Sequence, residues 1–191
     1  IDAIAGGGGL ISLPALLATG MPPQVALGTN KLQAACGTGT AVWHYAKAGL
    51  MNTRWLWLAV ALSFFASMGG AFAVSVLSKD LLREMMPWML AAVAVYTALN
   101  RHFGIHAGKQ WVSPVLFAVA FGIVIGFYDG FFGPGTGSFW TLGLVGLLGL
   151  DLCHATRYTK AANLASNVGS LGIFLAFGAV SDSGWHRLSV G

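Results

Sequence analysis

The chain has 191 residues, 56% hydrophobic and 8% charged, with a formal net charge of +4 and a mean hydropathy of +0.72. A soluble domain carries about 25% charged residues, so these values exclude an ordinary soluble fold and indicate a polytopic helical membrane protein. No basic run is long enough for a nucleic-acid partner, and two cysteines, Cys36 and Cys153, are too few for a disulfide framework.

The chain opens on Ile1 inside a glycine-rich stretch and ends in a polar one. It therefore reads as a piece of a longer protein, in which no signal peptide can be assigned. Residues 1–20 hold Asp2, four glycines at 6–9, and an apolar run about half a bilayer long at roughly 1.5 Å per residue. Met21-Pro22-Pro23 is a turn and helix start. Residues 24–48 form a helix rich in small residues, and Thr29, Asn30, Lys31, Gln33 and Thr38 make it too polar to face lipid. Residues 55–77 carry no charge and form the clearest spanning helix. Gly69 and Ala73 make a small-residue pair for helix contact. Residues 78–86 read as interfacial, with Pro87 opening a helix over 88–99 that is short unless the preceding LLREMM joins it. A polar connection, 100–113, precedes the apolar run 114–128, where Gly122 and Gly126 form a second small pair. The break 129–138 (YDGFFGPGTGS with its preceding Tyr128) follows, then the run 139–150, a turn at Asp151, a helix over 153–177 and an exit loop. Residues 161–180 are a second uncharged stretch of spanning length. Basic residues fall evenly in successive loops, so the orientation stays open.

The break is the centre of the reading. Pro134 lacks a donor, and Gly133, Gly135 and Gly137 each cost a helix roughly 1 kcal/mol against Ala. An apolar segment is thus broken in its middle, beside an acid. Unwound backbone at membrane depth is tolerated only where protein or a water-filled cavity satisfies it. The break is therefore a candidate binding site.

It also recurs. An offset of 129 residues lays Gly6 on Gly135, Gly8 on Gly137, Leu13 on Leu142, Gly20 on Gly149, Ala26 on Ala155, Lys31 on Lys160 and Gly49 on Gly178. An offset of 127 lays Asp2 on Asp129. The shared order is acid, glycine break, half-length apolar run, turn, and helix with an early lysine. Repeated broken helices are the best sequence pointer to a transporter's site. Parallel and inverted repeats are both open at this point.

A half-helix beginning after each break offers backbone N–H groups and its positive dipole end, which favour an anion. The donors lie at Gly7, Gly8 and Gly9 and at Gly135, Thr136, Gly137 and Ser138; tight helix crossing is the other use for such glycines. Lys31 and Lys160 either form an electropositive pocket or make structural salt bridges to aspartate. Asp2 and Asp129 are either proton relays or fixed counter-ions. Asn163 and Asn167 share a helix face with Lys160 and hydrogen-bond a ligand or a neighbouring helix. His44 and His154 lack metal spacing, and Ser138 lacks the flanking glycine of a nucleophile elbow. Neither a metal, a cofactor nor an enzymatic activity is expected.

The stretch AGGGGLISLPALLATGMPPQVALGTNKLQAACGTGTAVWHYAKAG resembles the first repeat of the sulfite exporter TauE/SafE family. GFYDGFFGPGTGSFW with YTKAANLASNVGSLGIFLAFGAV resembles its second. The resemblance implies an inner-membrane permease for small sulfur oxyanions or organosulfonates, and it implies further helices before Asp2 and after Gly178. The patterned positions it carries over include Gly28, Thr29, Asn30 and Lys31, Asp129, and Thr159 with Lys160; Arg157-Tyr158 depart from the first repeat's Gly28-Thr29.

The expectation is therefore an all-α polytopic bundle forming one integral membrane domain, with a first repeat over 1–113 and a second over 114–191. A small anion would bind through Gly7–Gly9, Thr29–Lys31, Gly135–Ser138, Thr159, Lys160 and Asn163, with Asp2 or Asp129 coupling a proton. The alternative is a membrane scaffold whose glycines serve packing alone.

Overall fold

The structure is a computed structural model that describes residues 9–49, 53–99 and 108–178. The described residues form seven helices and no strand: α1 (Gly9–Ala18), α2 (Pro23–Lys47), α3 (Arg54–Val76), α4 (Lys79–Leu99), α5 (Pro114–Phe131), α6 (Thr136–Gly146) and α7 (Leu152–Ala176). The protein is the all-helical bundle that its composition implies. Two of the helices, α3 and α5, are long and apolar enough to cross a membrane. α2 and α7 are longer, at 25 residues each, but carry buried polar side chains.

Glycine and proline set the helix ends. Pro23 and Pro114 occupy first-turn positions, where no amide partner is needed. Gly20, Gly49, Gly149 and Gly178 adopt positive φ just beyond α1, α2, α6 and α7. Asp151 caps α7, its carboxylate accepting from the amides of Cys153 and His154 at 3.0 and 3.1 Å. One boundary differs from the sequence reading. Residues 79–99 form a single helix with Pro87 inside it, rather than an interfacial segment and a short helix. Leu82 and Met86, each 2% exposed, pack with Leu13 and Val74 on the near side of the proline. Burying two such side chains is worth about 1.5–3 kcal/mol each, enough to offset the roughly 3 kcal/mol of an internal proline.

Contacts fix the helix directions. Ala59, Ser63 and Ser67 of α3 meet Gly122, Gly126 and Gly130 of α5 in the same order, so these helices run parallel. Trp55, Phe64 and Phe72 of α3 likewise meet Tyr158, Gly169 and Phe177 at α7. α6 does not continue α5 past the break. Phe139 lies on Tyr128, and Trp140 and Gly143 lie on Phe117 and Phe121, so α6 doubles back along α5. Gly133 (φ +98°) and Gly135 (φ +83°) make that reversal, in a backbone region that L side chains rarely adopt. α2 runs against α7: Val42 and Tyr45 pack with its start, Gly39 meets Leu164, and Leu27 packs with Phe174.

The small-residue contact also differs in detail. A Cβ on Gly70 would come 2.1 Å from the Phe127 carbonyl oxygen, whereas one on Gly69 would make only ordinary contact with the Phe127 ring. The face of α3 against α5 is Ser63, Ser67 and Gly70.

The apolar core is divided. One cluster joins Leu56, Phe117, Trp140, Leu144 and Tyr158 near the starts of α3, α5 and α7. The other joins Leu13, Leu27, Ala71, Val74 and Phe174 near the ends of α3 and α7. Between them lies a polar layer that includes Lys31, Ser67, Asp129, Asn163, Ser166 and Asn167, all buried. Trp57, Phe65 and Phe72 on α3 and Leu116 and Val124 on α5 are exposed, as lipid contact requires.

Candidate functional site

The polar layer surrounds a cavity of about 30 Å³ lined from α1, α2, α5, the break, α6 and α7. That volume suits one water, or little more. Asp129 occupies the last turn of α5, which places it inside the helix rather than in the break. Its carboxylate accepts from Lys31 Nζ at 2.8 Å and from Thr136 Oγ1 at 2.9 Å, both on Oδ1, while Ser166 Oγ donates to Oδ2. The Lys31 and Asp129 side chains are 1% and 4% exposed. A buried charge is held only when paired and hydrogen-bonded, and this one is both.

The local sequence builds this arrangement step by step. Gly130 lets α5 approach so closely that a Cβ there would lie 1.9 Å from the Ser67 carbonyl oxygen. α5 ends as Phe132 N donates to Tyr128 O, and the Tyr128 hydroxyl spans the break to the Pro134 carbonyl at 2.7 Å. A Cβ on Gly133 would stand 2.8 Å from Lys31 Nζ, so this glycine both turns the chain and leaves room for the ammonium. α6 then starts at Thr136, at the cavity. A Cβ on Gly9, the first residue of α1, would lie 3.5 Å from Pro134 Cα, so a second half-helix also begins there.

The sequence-selected residues divide accordingly. Gly9, Asn30, Lys31, Asp129, Gly135, Thr136, Gly137 and Asn163 line the cavity. Ser138 does not, and its amide, like that of Phe139, donates to the Gly135 carbonyl; these two donors are already engaged within the turn. Thr159 is buried against Thr141 at 3.2 Å. The Thr29 hydroxyl is buried without a partner among the described residues, away from the cavity lining. Lys160 is 1% exposed and also lies outside the lining. Asp2, Gly7 and Gly8 lie outside the described residues. Asn163 is 6% exposed, and its Oδ1 has no partner among the described residues.

Thr38 and Ser166 belong to the site without having been selected. Ser166 lies three residues after Asn163, on one helix face with it. Thr38 lies seven after Lys31 and 129 before Asn167. Face and offset together were the available signals. His154 is engaged with Asp151 at the start of α7. Among the described residues, no group of three His, Cys, Asp or Glu side chains gathers to hold a metal.

Half-length helices that begin at a buried, ion-paired cavity inside a lipid-facing bundle are the build of a membrane transporter. The family profile for Sulfite exporter TauE/SafE matches residues 1–191, and the chain belongs to that family. It is similar to the probable membrane transporter protein ORF9 of Sinorhizobium sp, 44% identical over 180 residues, 94% of this chain and 69% of that protein. It is also similar to a probable membrane transporter protein of Haemophilus influenzae, at 42% identity over 94% of this chain and 71% of the relative. A third relative is the probable membrane transporter protein YfcA of Escherichia coli K12, at 40% identity over 94% and 67%. No solved structure matches the chain.

Proposed function

We propose that the protein is a secondary carrier of small anions, of the sulfite or organosulfonate type, working by alternating access in the cell inner membrane. The observation that carries this reading is the cavity where α1 and α6 both begin. Lys31 supplies the cation there, and the positive ends of two half-helices supplement it. The Lys31–Asp129 pair joins α2 to α5, elements that fall in different repeats on the 129-residue offset. It is thus a contact that opening one half against the other would break. The scaffold alternative accounts for Gly122, Gly126 and Gly130, which pack backbone on backbone, but gives no role to a polar cavity.

The test is anion efflux from proteoliposomes of the complete protein loaded with sulfite, sulfate, chloride or methanesulfonate. Lys31→Ala with Lys160→Ala is expected to lower efflux at least about tenfold, since a hydrogen bond to a charged group is worth about 1.5–3 kcal/mol. Unchanged efflux from the double variant would end the proposal.

A further inference from the structure

We propose that Asp129 and the transported anion are alternative partners of Lys31, so that one proton and one monovalent anion bind together and cross in the same direction. This rests on the carrier reading and adds the coupling and the charge class of the substrate.

Charge balance is the first argument. Lys31 and an ionised Asp129 sum to zero inside a buried site. An anion that takes Lys31 leaves the carboxylate unpaired, which a low-dielectric site resists. A proton delivered to Asp129 as the anion arrives returns the sum to zero if the anion carries one charge. A dianion would leave one uncompensated negative charge.

Hydrogen bonding is the second. Protonation would strand the donors around a carboxylate unless they have other acceptors. Both hydroxyls do. Thr136 Oγ1 lies 2.6 Å from the Gly133 carbonyl oxygen, and Ser166 Oγ lies 3.1 Å from those of Ala162 and Asn163. Each hydroxyl rotates from the carboxylate to a carbonyl already in reach, and the oxygen it turns away from is then free to accept the new carboxyl O–H, so neither the hydroxyls nor the carboxyl proton is orphaned. Asn163 lines the cavity, and its Oδ1, without a partner among the described residues, is a further acceptor for the ammonium.

No competing titratable group surrounds the pair among the described residues. Among the described residues, Lys31 is the one ionisable side chain lining the cavity beside Asp129. α1 brings Gly9, α6 brings Thr136 and Gly137, and α7 brings Asn163, Ser166 and Asn167. α3 meets this end of α5 through Ser67 and Gly70. On α5 itself, the Tyr128 hydroxyl is turned to Pro134. Lys160 stands outside the lining with interactions of its own.

The experiment uses the complete protein in proteoliposomes with a trapped pH-indicator dye and a clamped membrane potential. An inward gradient of methanesulfonate, a permanently ionised monoanion, is expected to acidify the lumen at a rate independent of the potential. The apparent affinity should fall as pH rises, because fewer protons are available to bind with the anion. Sulfate should move far more slowly. Asp129→Asn should give anion exchange that no longer varies with pH and no longer moves protons. Lumen alkalinisation, a transport current, or anion movement without protons would overturn the coupling and leave the carrier standing. Failure of methanesulfonate, hydrogensulfite and chloride alike to move would remove the carrier and this proposal together. The wild-type measurements decide the matter even where the variant does not fold.

Discussion

Lys31 illustrates what one residue can and cannot disclose. Its position inside a helix too polar for lipid was legible from spacing alone. Its partner was not: Asp129 lies 98 positions away, and the sequence left anion pocket and salt bridge both open. Removing one member of a buried pair strands the other at a cost of about 3–5 kcal/mol. Lys31→Met should therefore lower the thermal unfolding midpoint in detergent sharply, and Lys31→Met with Asp129→Asn should recover most of the loss. An additive decrease in the double variant would mean that the pair is not coupled. Asp151 offers a pH test outside the membrane-spanning helices. The His154 backbone N–H, then the His154 side chain, hold its carboxyl below the ordinary carboxylate range. A depressed folded-state value stabilises above the unfolded value of about 3.9, and the contribution disappears as pH falls through the folded value. Melting curves taken downward from about pH 5 should show this acid loss, and Asp151→Ala should reduce it. An unchanged acid limb would show that the cap has no weight in stability.

At the scale of elements, the helix ends were readable because glycine, proline and aspartate mark them chemically. Helix faces were harder. α3 is apolar nearly all round, so its sequence does not fix which stripe meets α5. The sequence reading took Gly69 with Ala73 for the contact, and geometry puts Gly70 there instead. Gly70→Ala should destabilise the bundle by about 1–3 kcal/mol, because its methyl would meet backbone that cannot yield without parting α3 from α5. Gly69→Ala, facing a movable ring at 3.8 Å, should be close to neutral. Equal melting shifts for the two would contradict the observed packing. The reversal after α5 was hidden for a different reason. Glycine permits positive φ without requiring it, so Gly133 and Gly135 announced a break but not its direction.

For the whole molecule, the 129-residue offset reappears in three dimensions. α2 and α7 begin 129 residues apart and have equal length. The turns before them, at Gly20 and Gly149, and after them, at Gly49 and Gly178, all have positive φ. The hydrogen bond between Ser12 and Asn30 falls, after that offset, on the one between Thr141 and Thr159. Sequence alone left parallel and inverted units both open, because the short segment 88–99 did not settle how many crossings separate them. α6 turns back, and α2 lies antiparallel to α7. If α2 and α7 belong to two like units, as the offset proposes, an axis lying in the plane of the membrane would relate those units, the arrangement of carriers with inverted repeats. The start of α2 and the start of α7 should then face opposite sides. Cys153, exposed at the start of α7, and a cysteine at the exposed Thr19 just before α2 provide the markers. In the complete protein with Cys36→Ser, a membrane-impermeant maleimide should reach one of the two in intact cells and the other only after permeabilisation. Labelling of both from one face would make the units parallel and rule out such an axis.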